Sequence, residues 1–197
     1  MGARNWSFRI CAALVALAGA AIAVAWLGDA YPPWRAVRVC QTSGYASLLL
    51  LLASLAVAPV LKVSELLRFP LQRAAASAFR RRAGISAALL ALVHAALALS
   101  TYLRDSWDAV LDWSFTRAGL ASLIVLALLL GTSFPWAVSL LRLKLWKELH
   151  RLAYVAGAFA VLHVLQAPFA PSWRAIAVLS GFLALMALRL LPRRRST

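Results

Sequence analysis

Six apolar stretches alternate along this chain with short segments that carry nearly all of its charge. They cover roughly residues 10–28, 43–62, 84–103, 118–138, 150–167 and 174–191. About 20 consecutive apolar residues make a helix long enough to cross the hydrocarbon core of a bilayer. Runs of this length exceed a soluble core strand, and none shows the strict alternation of a membrane barrel. The pattern predicts an all-α integral membrane protein, a six-transmembrane-helix bundle. No loop exceeds about 20 residues, so residues 1–197 are read as a single membrane domain.

Composition agrees: 63% of the residues are hydrophobic and the mean hydropathy is +0.81. The net charge of +15 raises the question of a nucleic-acid partner, and its distribution answers it. With six spans, the N-terminus, the 62–83 loop, the 139–151 loop and the C-terminal tail share one side. That side holds 16 of the 21 Lys and Arg, including Arg80-Arg81-Arg82 and Arg193-Arg194-Arg195. The other side holds Arg35, Arg38, Arg104, Arg117 and Arg174, together with Asp29, Asp105, Asp108 and Asp112. The positive-inside rule then predicts an N-in/C-in topology. The cations are read as topology charges beside anionic membrane lipids, with no nucleic acid involved. Arg4 and Arg9 precede an apolar run too long for a signal-peptide h-region, so the first run is expected to be a retained helix.

Little else carries chemistry. Cys11 falls in the first run and Cys40 in the expected first external loop, with no C-x-x-C motif to suggest a thiol relay. Phosphate loops and Ser-His-Asp sets are unrecognisable, so no catalytic residue is assigned. Ser54 and Ser100 are expected to pack between helices.

The three histidines stand out, because an ionisable residue at membrane depth is costly and marks function. His94 lies ten residues beyond Gly84, about 15 Å along its helix. His163 lies 13 residues beyond His150, about 20 Å along. Both helices run outward, so the two imidazoles reach similar depth and could clamp a haem iron between them. Arg80 lies 14 residues before His94, close to four helical turns, and would share its face. His150 and His163 would point about 140° apart on one ideal helix, which fits poorly with two haems stacked in one groove. Intramembrane histidines also serve as helix–helix hydrogen-bonding groups, and the arginine run also reads as a solvated charge cluster.

Several segments resemble the ferric-reductase-like transmembrane family and, within it, the MsrQ-type haem-binding subunits. Gly44 opens GYASLLLLLASLAVAPVLK, with Pro59 near its end. Arg81-Arg82-Ala83-Gly84 precede His94, and Arg117 and Gly119 open a run that passes through Gly131-Thr132-Ser133. Trp146, Leu149, His150 and Tyr154 form a W-x-x-L-H-x-x-x-Y element, followed by Leu162-His163. The family's tyrosine soon after the third-helix histidine is absent here, where the next tyrosine, Tyr102, comes eight residues after His94.

The resemblance implies haem b between the third and fifth helices, in the bacterial inner membrane. His94 and His163 become the expected outer axial ligands of the iron. His150 becomes an inner ligand, with Arg80 and Arg81 near the cofactor. One haem is expected and a second at His150 is left open; FMN is associated with the same family. The expected partner is a periplasmic molybdopterin reductase that repairs methionine sulfoxide. The chain ends at Thr197 without an FAD/NAD domain, so the expected donor is a quinol or a cytoplasmic flavin reductase. Two alternatives are a stand-alone metal or quinone reductase and a non-redox transporter or scaffold. Residues 104–113 are expected to form a short external helix, with Asp105, Asp108 and Asp112 on one face for docking the partner and its tryptophans at headgroup level.

Overall fold

The computed structural model describes residues 3–27, 32–67, 71–168 and 170–190, and every regular element among them is a helix. In chain order these are α1 (Ala3–Leu27), α2 (Pro32–Leu66), α3 (Arg73–Thr101), α4 (Trp107–Asp112), α5 (Ser114–Gly131), α6 (Pro135–Leu149), α7 (Leu152–Gln166) and α8 (Ser172–Leu190). Asp29, Arg68 and Arg193-Arg194-Arg195 lie outside the described residues. Four helices, α2, α3, α5 and α8, are each long and apolar enough to cross a membrane. A fifth span is formed if α6 and α7, bent by 48° at their junction, cross together. The apolar part of α1, Arg9–Ala25, is shorter.

The all-helical membrane class agrees with the hydropathy pattern, but several boundaries do not. The predicted run 118–138 is divided: α5 stops at Gly131, Thr132 leaves the helical region at φ −89° and ψ 2°, and Pro135 starts α6. Proline suits a helix start because its missing N–H would have no partner there. Much of the expected 139–151 loop is therefore helix, irregular at Arg142, whose φ of 57° is unusual for a residue with a side chain. Arg80, Arg81 and Arg82 were expected in a loop and lie on α3.

Helix α2 begins 11 residues before the predicted 43 and runs for 35 residues. At 1.5 Å per residue that is about 52 Å, well beyond the hydrocarbon thickness, so part of it projects from the bilayer or the helix tilts. Pro59 sits inside it and is fully buried. Cys40, expected in an external loop, is inside α2 and only 1% exposed.

The core joins α2, α3, α5 and α7 through Leu50, Leu51, Leu55, Ala87, Ala88, Leu126 and Ala156. Ala83, Ala87 and Ala156 are completely buried, and such small residues let backbones approach closely. Serine hydroxyls then reach across: Ser47 donates to the Ala87 carbonyl at 2.8 Å, Ser54 to Arg80 at 3.0 Å and Ser122 to Ala156 at 2.9 Å. Ser100 does not join them; it is exposed and bonds the Leu97 carbonyl of its own helix. Large apolar side chains such as Leu49, Ile124, Leu140 and Ile176 point outward, as a lipid solvent allows. The result is two close helix pairs, α2 with α3 and α5 with α7, that meet along α3 and α5.

Candidate functional site

Each helix pair seats one histidine in the same way. In the first pair, His94 on α3 places Nδ1 2.7 Å from the backbone carbonyl of Cys40 on α2. A carbonyl oxygen only accepts, so Nδ1 carries the proton and donates it. The ring lies over Gly44, four residues after Cys40, where a Cβ would come within 2.8 Å of the ring atoms Cε1 and Nδ1. In the second pair, His163 on α7 donates from Nδ1 to the carbonyl of Phe115 on α5, also at 2.7 Å. Its ring lies over Gly119, again four residues later, where a Cβ would be 2.8 Å from Nδ1.

The spacing of four has a physical reason. A helical carbonyl at position i points toward position i+4, and a side chain there stands beside it. Glycine at i+4 opens the flank of the carbonyl, whose second lone pair then accepts the imidazole N–H. Glycine costs up to about 1 kcal/mol relative to alanine in a helix interior, so its presence at both seats needs a packing reason.

With Nδ1 committed on both rings, each Nε2 keeps its lone pair. The two rings face one another with centroids 6.0 Å apart and planes at 77°. Both line a cavity of about 560 Å³ between α2, α3, α5 and α7, within the size range of cofactor sites. The walls are mainly apolar, including Leu48, Leu51, Leu99, Leu120, Leu123 and Leu126. Arg174 is the one charged side chain on the lining among the described residues.

The residues fit a haem. Two imidazoles that held one iron between them would have centroids roughly 6 Å apart, from metal–nitrogen bonds of about 2.0 Å and a ring radius of about 1.1 Å. The observed centroid separation of 6.0 Å is compatible with one metal held between the two rings. A donated Nδ1–H is also the usual outer partner of a metal-ligating histidine, because it fixes the tautomer and the ring orientation.

His150 is elsewhere. It caps the C-terminus of α6, and α7 starts only at Leu152, so His150 and His163 do not share one straight helix. The angle expected for an ideal helix does not apply to them. The His150 ring stacks on Trp146 at 4.1 Å between centroids, and its Nε2 lies 3.5 Å from the Thr132 hydroxyl. The Trp146 indole N–H donates to the Thr132 carbonyl at 2.8 Å. Arg80 is near enough for its charge to act on the His150 ring. Arg81 donates to the Ser133 carbonyl at 2.7 Å and so closes the C-terminal end of α5. Arg80, Arg81 and His150 thus gather around the α5–α6 turn, whereas the His94–His163 cavity is at the α4 end of the bundle.

The external segment is partly as expected. Helix α4 forms, with Ser106 as its N-cap accepting from the Ala109 N–H at 3.3 Å. Asp108 and Asp112 share one face, but Asp105 precedes the helix at a φ of 59°. Val110 is buried while Trp107 and Trp113 are exposed.

Sequence reasoning singled out the two histidines, which the structure brings together, and missed what seats them. Cys40 and Phe115 act through backbone carbonyls, which no side-chain motif reveals. The signal available was a glycine inside each apolar helix, at Gly44 and Gly119.

The site thus sits in a multi-pass helical membrane protein, with two oriented imidazoles lining one apolar cavity. The chain belongs to the ferric reductase like transmembrane component family, whose model matches residues 43–161. That stretch holds His94, His150 and the glycines Gly44 and Gly119, and it stops two residues short of His163. The chain is also similar to the protein-methionine-sulfoxide reductase heme-binding subunit MsrQ of Deinococcus radiodurans, at 32% identity over 133 residues. The match covers 64% of this chain and 60% of that relative. No solved structure matches the chain significantly.

Proposed function

We propose that this chain is a membrane electron-transfer subunit that holds one b-type haem between His94 and His163. The observation that carries the reading is the pair of imidazoles 6.0 Å apart, each anchored through Nδ1 and both lining one cavity. When bound, the haem supplies one-electron redox chemistry. The protein supplies the axial bonds, a dry apolar wall and fixed ring planes, which together tune the potential. Packing alone gives no reason for two rings at this separation in one cavity.

The topology is N-in/C-in with six spans, α1 and the bent α6–α7 pair each counting as one, in a bacterial inner membrane. The end rich in Arg80, Arg81, Arg82, Lys144, Lys147 and Arg151 is cytoplasmic by the positive-inside rule. Electrons enter there, from a quinol or a flavin reductase, and leave through the cavity end. The resemblance to a methionine sulfoxide reductase haem-binding subunit supports a periplasmic molybdopterin reductase as acceptor, with repair of oxidised methionine as the outcome.

The test is haem quantification per chain with a reduced-minus-oxidised spectrum of the purified protein. One haem per chain is expected, and His94→Ala and His163→Ala should each lose it. Full haem and an unchanged spectrum in either variant would reject the pairing. Deleting a co-expressed molybdopterin reductase separates the partnered reading from a stand-alone metal or quinone reductase. Only the partnered protein should then stop re-oxidising at its normal rate.

A further inference from the structure

We propose that Arg174 anchors the carboxylate arms of the porphyrin held between His94 and His163, a role that rests on the haem reading above. The lining of the cavity gives a porphyrin ring mainly apolar walls, and apart from Arg174 its polar side chains, among them Gln41, Tyr102 and Thr116, carry no full charge to meet the two carboxylates. Burying an unpaired carboxylate is costly, so the arms must lie at a polar mouth with a cation. Arg174, in the first turn of α8, lines this cavity and is the one charged side chain that does so among the described residues.

The arginine is held in position. Its guanidinium carbon lies 5.3 Å from the centroid of the Tyr45 ring and 5.2 Å from that of Trp173. Tyr45 directly follows Gly44, the seat of the His94 ring, so the histidine seat and the arginine support share one turn of α2. Stacking engages the face of a guanidinium, while its N–H donors lie in the plane and suit a bidentate carboxylate. The side chain is exposed, so its charge is not desolvated in the protein as it stands.

The arginines of the 80–82 run fit this role poorly. Arg80 precedes His94 by 14 residues on one continuous helix, about 21 Å along the axis. Arg81 already donates to the Ser133 carbonyl. The cation that shares a cavity with both imidazoles is at the other end of the bundle.

The experiment titrates protohaem and protohaem dimethyl ester, whose carboxylates are blocked, onto detergent-solubilised apoprotein. Native protein, Arg174→Ala and Arg174→Lys are compared. The native protein should prefer the free acid by about tenfold at low salt, the size of one charge-assisted hydrogen bond. Arg174→Ala should bind both porphyrins with the affinity of the ester, and Arg174→Lys should fall between. The midpoint potential of the Ala variant should drop, because a positive charge favours the reduced iron. A native protein that takes acid and ester equally overturns the role without any variant. So does an Ala variant that keeps the native preference while both form the bis-imidazole spectrum. Failure of the native protein to form that spectrum with either porphyrin overturns the haem reading and this role with it.

Discussion

Gly119 holds the His163 imidazole by having no side chain. A Cβ at Gly119 would lie 2.8 Å from Nδ1 of His163, the atom that donates to the Phe115 carbonyl. Gly44 stands in the same relation to His94. The two seats are built alike on different helix pairs, and both rings line the shared cavity.

Gly119→Ala and Gly44→Ala should therefore each displace a ligand without unfolding the bundle. Alanine is the better helix former by about 1 kcal/mol, so helicity and thermal stability should hold or rise. Haem content should fall severalfold. Gly181→Ala, where a Cβ meets nothing within 4 Å, is the control and should keep its haem. Native haem content in both seat variants would show that the rings can shift at no cost.

The ring planes of His94 and His163 stand at 77° to one another. Near-perpendicular axial imidazoles give ferric low-spin haem a strongly anisotropic electron paramagnetic resonance signal, with its largest g value at unusually low field. That signal is the expected spectrum. A near-axially-aligned rhombic signal, as from parallel rings, would mean that one seat rotates on binding.

His150→Ala should leave the His94–His163 haem in place, because His150 belongs to the α5–α6 turn and lines no part of the cavity. Reduction from the donor side should slow. The variant loses the Trp146 stack and the Thr132 contact as well, so Trp146→Phe is the companion. It keeps an aromatic ring for stacking and removes only the indole donor to Thr132. Equal reduction rates in His150→Ala and native protein would make His150 a boundary residue.

Reversing the charge of Asp108 and Asp112 should slow electron delivery to a periplasmic partner, more at low salt than at high. These two aspartates share an exposed face of α4, beside the cavity end. Asp105 lies off that face, so Asp105→Lys alone should have the smaller effect. Stopped-flow re-oxidation across ionic strength reads this directly. Unchanged rates at every salt concentration would leave α4 as a membrane anchor only.

The sequence by itself determined the membrane class. Hydropathy is a local property, and a run of some 20 apolar residues has few alternatives to a spanning helix. It also isolated His94, His163 and His150, because few ionisable residues lie within those runs. It misjudged boundaries where local backbone chemistry overrides hydropathy. The 118–138 run breaks at Thr132 and Pro135, and α2 extends outward past Cys40, because proline and turn residues, not apolarity, set helix ends.

Only the tertiary structure decided how the histidines are held. His94 finds its acceptor 54 residues away and His163 finds one 48 residues away. Both acceptors are backbone carbonyls, which every residue has, so no residue type marks them in advance. The separation of the two rings depends on how α2–α3 meets α5–α7, and that is set by fully buried alanines such as Ala87 and Ala156. Placing Arg174 in the same cavity required α8 to fold back beside α2 and α7. Long-range packing fixes these relations, and a linear pattern of apolar and polar positions does not contain them.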